Sequence, residues 1–386
     1  MKKVLLIHNG SELYGGSKSL LNITNILCKN NMVVKVLLPS TGPLVTSLTK
    51  KNIEVMIVNP MPQISINQLN RFKKIVIFFN EFFHSIKKIK KIINEFSPDI
   101  IHTNVSTIAS PAIASKLSKV KFIWHVREIY DGKQKFMWKF YQLFIYYFSD
   151  IIITNSNATK KQFSGFLQKK VVKLYNCFEF DENKKLLSDK DKYLFKSKYN
   201  INSDFCIGMI GRINLNRKGQ HIFVEAAKKI KIKFPKIKFV IFGEPYPGNE
   251  FYLDKLIKLI NNYKLNDYVI LVGEVKNINF IYGILDIVVI PSNRPESFGN
   301  VASEAMFFAK PVISSNIGGV SEQIFHQKNG LLFENCNSSD LANRIEQLII
   351  NEKKRNRFGL AGEKILKEKF NYDLFSKNLL NIYEKL

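Results

Sequence analysis

Two glutamates eight residues apart, Glu296 and Glu304, lie in a stretch that runs strand, loop, helix, strand, loop between Asp286 and Glu322. An apolar run at 287–290 is stopped by Pro291. Residues 300–308 have helical spacing, Pro311-Val312-Ile313 opens a second strand, and Gly318-Gly319 ends it. A carboxylate before a helix and another one turn inside it can face one small polar molecule at two points. The first amides of a helix have no intrahelical partner and favour an anion. Two hydroxyl acceptors flanking the N–H groups around Ser297, Phe298, Gly299 and Asn300 suit a ligand with sugar hydroxyls and phosphates, as a nucleotide sugar has. In parallel α/β sheets such ligands bind at the carboxyl ends of strands, where these residues and the Gly318-Gly319 loop fall. A bare pair of glutamates on a solvated helix is common; the flanking Pro295, Phe298 and paired glycines are what set this one apart.

Cations stand at a second strand end. The run 205–210 stops at Gly211-Arg212, and Lys218-Gly219-Gln220 opens the next helix. As a bond from sugar to β-phosphate breaks, negative charge builds on the diphosphate. Arginine offers its oxygens a planar fork and lysine a point charge. The sequence has no acidic cluster of metal-ligand type, so these cations take the place of a divalent ion. No metal and no cofactor beyond the nucleotide sugar are expected. Near the amino terminus, a strand at 3–8 leads into a polar loop containing Gly15 and Gly16, followed by helical spacing over 19–28. This loop suits either a phosphate- or sugar-facing turn or an ordinary turn, and its glycines lack the spacing of a dinucleotide site. On the strand 122–128, His125 and Arg127 share a face because side chains alternate, and Glu128 follows. They form either a sugar-facing cluster or a plain strand-end charge group.

The stretch 286–324 resembles the GT4 family of retaining glycosyltransferases, which have the GT-B fold of two facing Rossmann-like domains. Glu296 and Glu304 match the family's Glu, seven residues, Glu motif, and Gly211-Arg212 with Lys218-Gly219 match its Gly-Arg…Lys-Gly segment. The resemblance is strongest over 207–335. It implies that backbone near Val275 receives the base and Glu304 the ribose. Glu296 and the amides after it would take the sugar and diphosphate, while Glu322 orients the glycine loop. Gly15 and Gly16 would approach the donor phosphate or the acceptor. The family often has a histidine followed by an acid facing the transferred sugar. Here Arg127-Glu128 occupy that register with His125 two residues earlier, which leaves the sugar-facing residue open. The resemblance also implies attack on the face the leaving group departs from, with the departing phosphate accepting the acceptor's proton.

The elements that must position these residues alternate strand and helix throughout. The expected fold class is α/β, with two Rossmann-like domains of parallel strands. The expected boundaries are 1–180 with a returning helix at about 371–386, and 200–370, with a hinge in the polar stretch 177–202. Residues 338–368 read as helical. The 386 residues and 46% hydrophobic content support two ordinary cores. No apolar run approaches the ~20 residues of a membrane span, and the short run after Met1 reads as a strand rather than a signal peptide. Four separated cysteines show no metal or redox spacing.

Lys and Arg total 58 against 32 Asp and Glu, a net +26. Such an excess favours polyanions or anionic membranes, although heavy use of Lys, Asn, Ile and Phe also reads as compositional bias. Helices at 71–96 and 133–148 interleave lysines with aromatics. The second suits either an anionic bilayer surface or a core position with a solvated lysine edge. The expected partners are therefore a UDP- or GDP-type sugar donor, a saccharide or lipid-linked acceptor and an anionic membrane. The expected location is cytoplasmic, on the inner membrane face. An epimerase or hydrolase on the same fold, and less so a nucleic-acid-binding protein, are the alternatives. No nucleic-acid-binding module is recognisable.

Overall fold

The computed structural model describes residues 1–64, 72–130, 134–178 and 187–386. Arg71, Lys133 and residues 179–186 of the expected hinge lie outside the described residues. The chain divides into two compact units, Met1–Cys177 with Tyr372–Leu386, and Phe178–Asn371.

The first unit contains β1 (Lys3–Ile7), α1 (Gly15–Lys29), β2 (Val33–Leu38), α2 (Pro43–Thr49), β3 (Glu54–Ile57), α3 (Phe72–Phe96), β4 (Ile100–Thr103), α4 (Ser110–Leu117), β5 (Lys121–Val126), α5 (Gln134–Phe148), β6 (Ile151–Thr154), α6 (Asn157–Lys160) and β7 (Val171–Lys173). Its seven strands pair in parallel in the order β3-β2-β1-β4-β5-β6-β7. Alternate residues of one strand serve opposite faces, so a strand covered on both sides is apolar throughout. Leu5, Ile101 and Trp124 pack with Ile89, Ala112 and Ile145 from α3, α4 and α5. Val4, Ile100 and Ile123 pack on the other face with Leu20 and Ile23 of α1 and with Leu379 and Tyr383 of the terminal helix Tyr372–Glu384. Ser156 caps α6 by accepting the Thr159 N–H at 3.0 Å.

The second unit contains α7 (Asp189–Lys198), β8 (Cys206–Ile210), α8 (Leu215–Lys218), α9 (Gln220–Lys233), β9 (Lys238–Phe242), α10 (Phe251–Asn262), β10 (Val269–Gly273), α11 (Ile278–Ile284), β11 (Ile287–Ile290), α12 (Asn300–Phe307), β12 (Val312–Ser315), β13 (Gly330–Phe333), α13 (Ser338–Ile349) and α14 (Glu352–Lys369). Its parallel order is β10-β9-β8-β11-β12-β13. In each unit the strand order reverses once, between β1 and β4 and between β8 and β11. The crevice beyond the carboxyl ends of such a pair is where open α/β sheets bind ligands.

Two expected boundaries are corrected. Helix α1 starts at Gly15, four residues before the apolar spacing begins, so Gly15 and Gly16 form its first turn rather than a loop. The helical stretch 338–368 is two helices, broken where Asn351 accepts the Lys354 N–H at 2.9 Å and caps α14. Among the described residues no helix is long and apolar enough to cross a membrane.

Candidate functional site

The second unit's switch point is built by glycines that no other residue could replace without displacement. Gly219 separates α8 from α9 with φ +74, and a Cβ there would fall 1.9 Å from the Pro291 carbonyl oxygen. This close passage brings Lys218 beside the loop after β11. Lys218 Nζ lies 2.8 Å from Glu296 Oε1. Ser292 Oγ–H donates to the same oxygen. Burial alone would raise the Glu296 carboxyl, but Lys218 and the Ser292 hydroxyl more than offset it and hold the group below the ordinary carboxylate range. Glu296 is thus an anion with a cation beside it. The Arg212 guanidinium lies 5.0 Å from the centre of the Tyr246 ring, and Arg212 stands two residues after β8.

The loop 296–299 is locked against the turn 318–322. Gly319 N–H donates to the Glu296 carbonyl at 2.7 Å. A Cβ on Gly319 would lie 2.1 Å from the Ser297 oxygen, one on Gly318 (φ +68) 2.5 Å from the Glu296 oxygen, and one on Gly299 (φ +87) 2.3 Å from Val320 Cγ2. The fully buried Gln323 amide donates to the Phe298 carbonyl at 2.7 Å and accepts from Ser303 Oγ–H at 2.7 Å. Phe298 itself is buried, packing edge-on against Phe370, so only its main chain is available to a ligand. Glu304 Oε2 accepts from Tyr282 Oη–H at 2.9 Å. Asn300 opens α12 directly after Gly299. Val275 follows β10, the outer strand of the sheet, in a different βα loop from Glu296.

The tight packing at Gly219 makes a direct prediction. Gly219→Ala must displace Pro291 or abandon its left-handed conformation, and should cost about 2 kcal/mol or more. A denaturant midpoint equal to that of the parent would contradict this geometry.

In the first unit the switch-point residues form a buried polar network. Arg127 donates from Nε to Asn104 Oδ1 at 2.9 Å and from its terminal nitrogens to Asn176 Oδ1 at 2.7 Å, Ser19 Oγ at 2.6 Å and His125 Nδ1 at 3.2 Å. Because the guanidinium has no acceptor, His125 Nδ1 must be unprotonated. His102 Nε2, 3.3 Å away, is then the donor to it, and His102 Nδ1 accepts from Tyr383 Oη–H at 2.6 Å. Asn104 Nδ2 also donates to the Gly16 carbonyl at 2.9 Å and lies 3.3 Å from His8 Nδ1. Burial first, and the Arg127 charge second, lower His8 and His102 to about 3 and His125 well below its usual value. Arg127 is lowered to about 10 by burial, against the attraction of Glu128. The Glu128 carboxylate accepts from the Ser106 and Arg127 main-chain N–H groups, each at 3.1 Å, and from Ser106 Oγ–H. Burial raises its pKa despite these donors.

Sequence reasoning named Glu296, Lys218, Arg212, Glu304, Gly318 and Gly319, and the structure brings Glu296, Lys218 and both glycines into contact within one unit. It also places His125, Arg127 and Glu128 together at the end of β5, with His125 and Arg127 buried. Gly15 and Gly16 stand at the start of α1, and a Cβ on Gly16 would lie 3.2 Å from the His8 ring. Missed by sequence reasoning were Ser292, Tyr282, Gln323, His8, Asn104 and Asn176. Four of these carried a readable signal, since Ser292, His8, Asn104 and Asn176 each follow an apolar strand run within two or three residues. Tyr282 and Gln323 carried none. Among the described residues no group of three His, Cys, Asp or Glu side chains is placed to hold a metal.

The family described as Glycosyltransferase Family 4 matches residues 33–182, and the family described as Glycosyl transferases group 1 matches residues 191–365. The chain belongs to the GT4 family of glycosyltransferases. Its relatives include the capsular polysaccharide biosynthesis glycosyltransferase CapM of Staphylococcus aureus, 29% identical over 209 residues, 54% of this chain and 51% of that protein. The chain thus matches about half the length of that relative. An uncharacterized glycosyltransferase of Methanocaldococcus jannaschii is 26% identical over 333 residues, 83% and 84% of the two chains. HepE of Anabaena, solved with UDP and glucose, superposes with a TM-score of 0.85 at 22% identity over the whole of both chains. At that identity the likeness shows the two-domain α/β GT-B fold of this GT4 member. HepE has also been solved with UDP-glucose.

Proposed function

We propose that this GT4 enzyme is a retaining hexosyltransferase. It moves a sugar from a nucleoside-diphosphate sugar, of UDP type, to a saccharide or lipid-linked acceptor in surface polysaccharide synthesis. The observation that carries this reading is the Lys218–Glu296 pair, 2.8 Å apart, at the β8–β11 switch point, with Arg212 in the same β8–α9 connection as Lys218. Lys218 and Arg212 would meet the diphosphate as negative charge gathers on it, a role that needs fixed cations more than any covalent chemistry. Glu296 holds Lys218 in place and accepts from a hydroxyl of the transferred sugar. Glu304, oriented by Tyr282, takes the ribose hydroxyls. The bond from C1 of the sugar to the phosphate oxygen breaks, and one from C1 to the acceptor oxygen forms on the same face. The acceptor's proton passes to the departing phosphate. No step requires a metal. The capsule role of CapM and the UDP-sugar complexes of HepE support the donor class and pathway. The basic helices α3 and α5 support a peripheral position on the inner face of an anionic membrane.

Thermal-shift measurements with UDP-, GDP- and ADP-sugars in metal-free buffer test the donor. UDP-sugars alone should raise the melting temperature, as ligand binding to the folded state must. Stabilisation by none of the three would remove this reading. Release of free or epimerised sugar without an acceptor would replace it with a hydrolase or epimerase.

A further inference from the structure

The first unit holds a second concave feature that the transfer chemistry does not use. Between α3 and α5 lies a cavity of about 690 Å³, walled by Phe78, Phe79, Phe82, Trp138, Tyr141 and Phe144. Ile113 of α4 also lines it. Both α3 and α5 also expose large apolar side chains. Ile77, Phe79 and Phe83 of α3 and Phe136, Phe140 and Tyr147 of α5 are all exposed. Scattered apolar residues need no explanation, but large apolar side chains exposed on both helices that wall an apolar cavity mark a binding surface.

Three features limit the occupant. The walls are hydrocarbon and aromatic, so the buried part of the ligand is apolar. Among the described lining residues the polar side-chain groups are those of Gln63 and Thr107, the Tyr130 and Tyr141 hydroxyls and the Trp138 indole N–H, and Gln63, Thr107 and Tyr130 lead to the strand ends. Thr107 Oγ1 and Gln63 Oε1 both bond Asn9, just after β1. Tyr130 Oη lies 2.8 Å from Ser106 Oγ, which donates to Glu128 after β5. The flanking charge is positive: α5 has no acidic residue, and α3 carries Lys74, Lys87, Lys88, Lys90 and Lys91 against Glu81 and Glu95.

We propose that this groove binds the hydrocarbon tail of a lipid-linked acceptor, whose phosphate is drawn by the lysines and whose sugar reaches the strand ends near Glu128. This rests on the glycosyltransferase reading above and narrows its acceptor to the lipid-linked class.

Geranylgeranyl phosphate, a single apolar chain with one phosphate, is the probe. The chain has two tryptophans, and Trp138 lines the cavity, so titration is followed by intrinsic fluorescence without detergent. Saturable binding is expected, with no response to inorganic phosphate. Phe79→Ser with Phe140→Ser should weaken it by about tenfold or more; both side chains are over half or half exposed, at 59% for Phe140 and 50% for Phe79, so folding is spared. Ile113→Phe, which fills the cavity and leaves the exposed face alone, should weaken it too. Stabilisation by UDP-sugar should be unchanged in all three proteins.

Unaltered probe binding in the variants would overturn the proposal, as would no probe binding by a protein that UDP-sugar still stabilises. Variants that lose sedimentation with phosphatidylethanolamine–phosphatidylglycerol vesicles but keep the probe would make this face a membrane-docking surface and overturn the groove. Variants that convert a dimer to a monomer while keeping the probe would overturn it in favour of a second copy. Loss of all nucleotide-sugar stabilisation in the parent is the separate failure of the transferase reading.

Discussion

Lys218→Ala is expected to lower kcat/KM by about 100- to 1,000-fold, the loss seen when one preorganised charge-stabilising donor is removed. The fold should survive. Lys218 and Glu296 are only partly buried, with 29% and 18% of their side chains exposed, and breaking such a pair changes stability far less than catalysis. Glu296→Gln should cost a similar factor, because it removes both the charge that holds Lys218 and the acceptor that meets the sugar. The two losses should not add. In the double variant Lys218→Ala with Glu296→Gln, kcat/KM should fall about as far as in the worse single variant, since each group works through the other. Steady-state rates with UDP-sugar and circular dichroism on the same preparations decide it. A folded Lys218→Ala enzyme with full activity would end the assignment of this pair.

Acid should unfold the protein earlier than its carboxylates alone would require. His8, His102 and His125 are neutral in the folded state, lowered to about 3, to about 3 and well below 6.5. The groups facing them are the Arg127 cation, the Tyr383 hydroxyl and one another, with Glu128 beyond Arg127. Unfolded, each histidine titrates near its ordinary value of about 6.5. Between the two values the unfolded chain binds more protons, so stability falls as pH drops. The contribution is fully present above about pH 7 and is lost progressively from about 6.5 toward 3. Each histidine supplies a slope approaching ~1.4 kcal/mol per pH unit, and the three together ~4. Glu128, raised by burial, opposes this slope only near the carboxylate range. Glu296, lowered by Lys218, adds to the loss there. Melting temperatures from about pH 8 to about pH 5 should hold level and then drop steeply, with roughly three protons taken up on unfolding. A flat profile across that range would mean that these imidazoles are not buried neutral bases.

Glu296, Lys218 and Gly319 were legible in the chain itself. Each follows a strand run ended by proline or glycine, by four to eight residues, and that local pattern fixes which residues stand beyond a strand's carboxyl end. The α/β class follows from the same alternation of strand and helix. The start of α1 was not legible, because glycine is a poor helix former and apolar spacing begins only at Ser19. Gly15 and Gly16 are helical in a chain that packs Gly16 against the His8 ring, where a side chain would crowd it. The network around Arg127 was beyond sequence reasoning as well. It joins Ser19, Asn104, His125 and Asn176, and through His102 it reaches Tyr383, 281 residues away.

A sequence by itself determines what short-range sterics and hydrophobic periodicity can impose: the strands, most helix limits and the loops that carry glutamate, lysine and glycine. Which of those loops share one crevice is decided by strand order, and strand order is set by long-range burial of faces that look alike along the chain. Only the folded sheet placed Lys218 on Glu296 and left three histidines beside a buried cation.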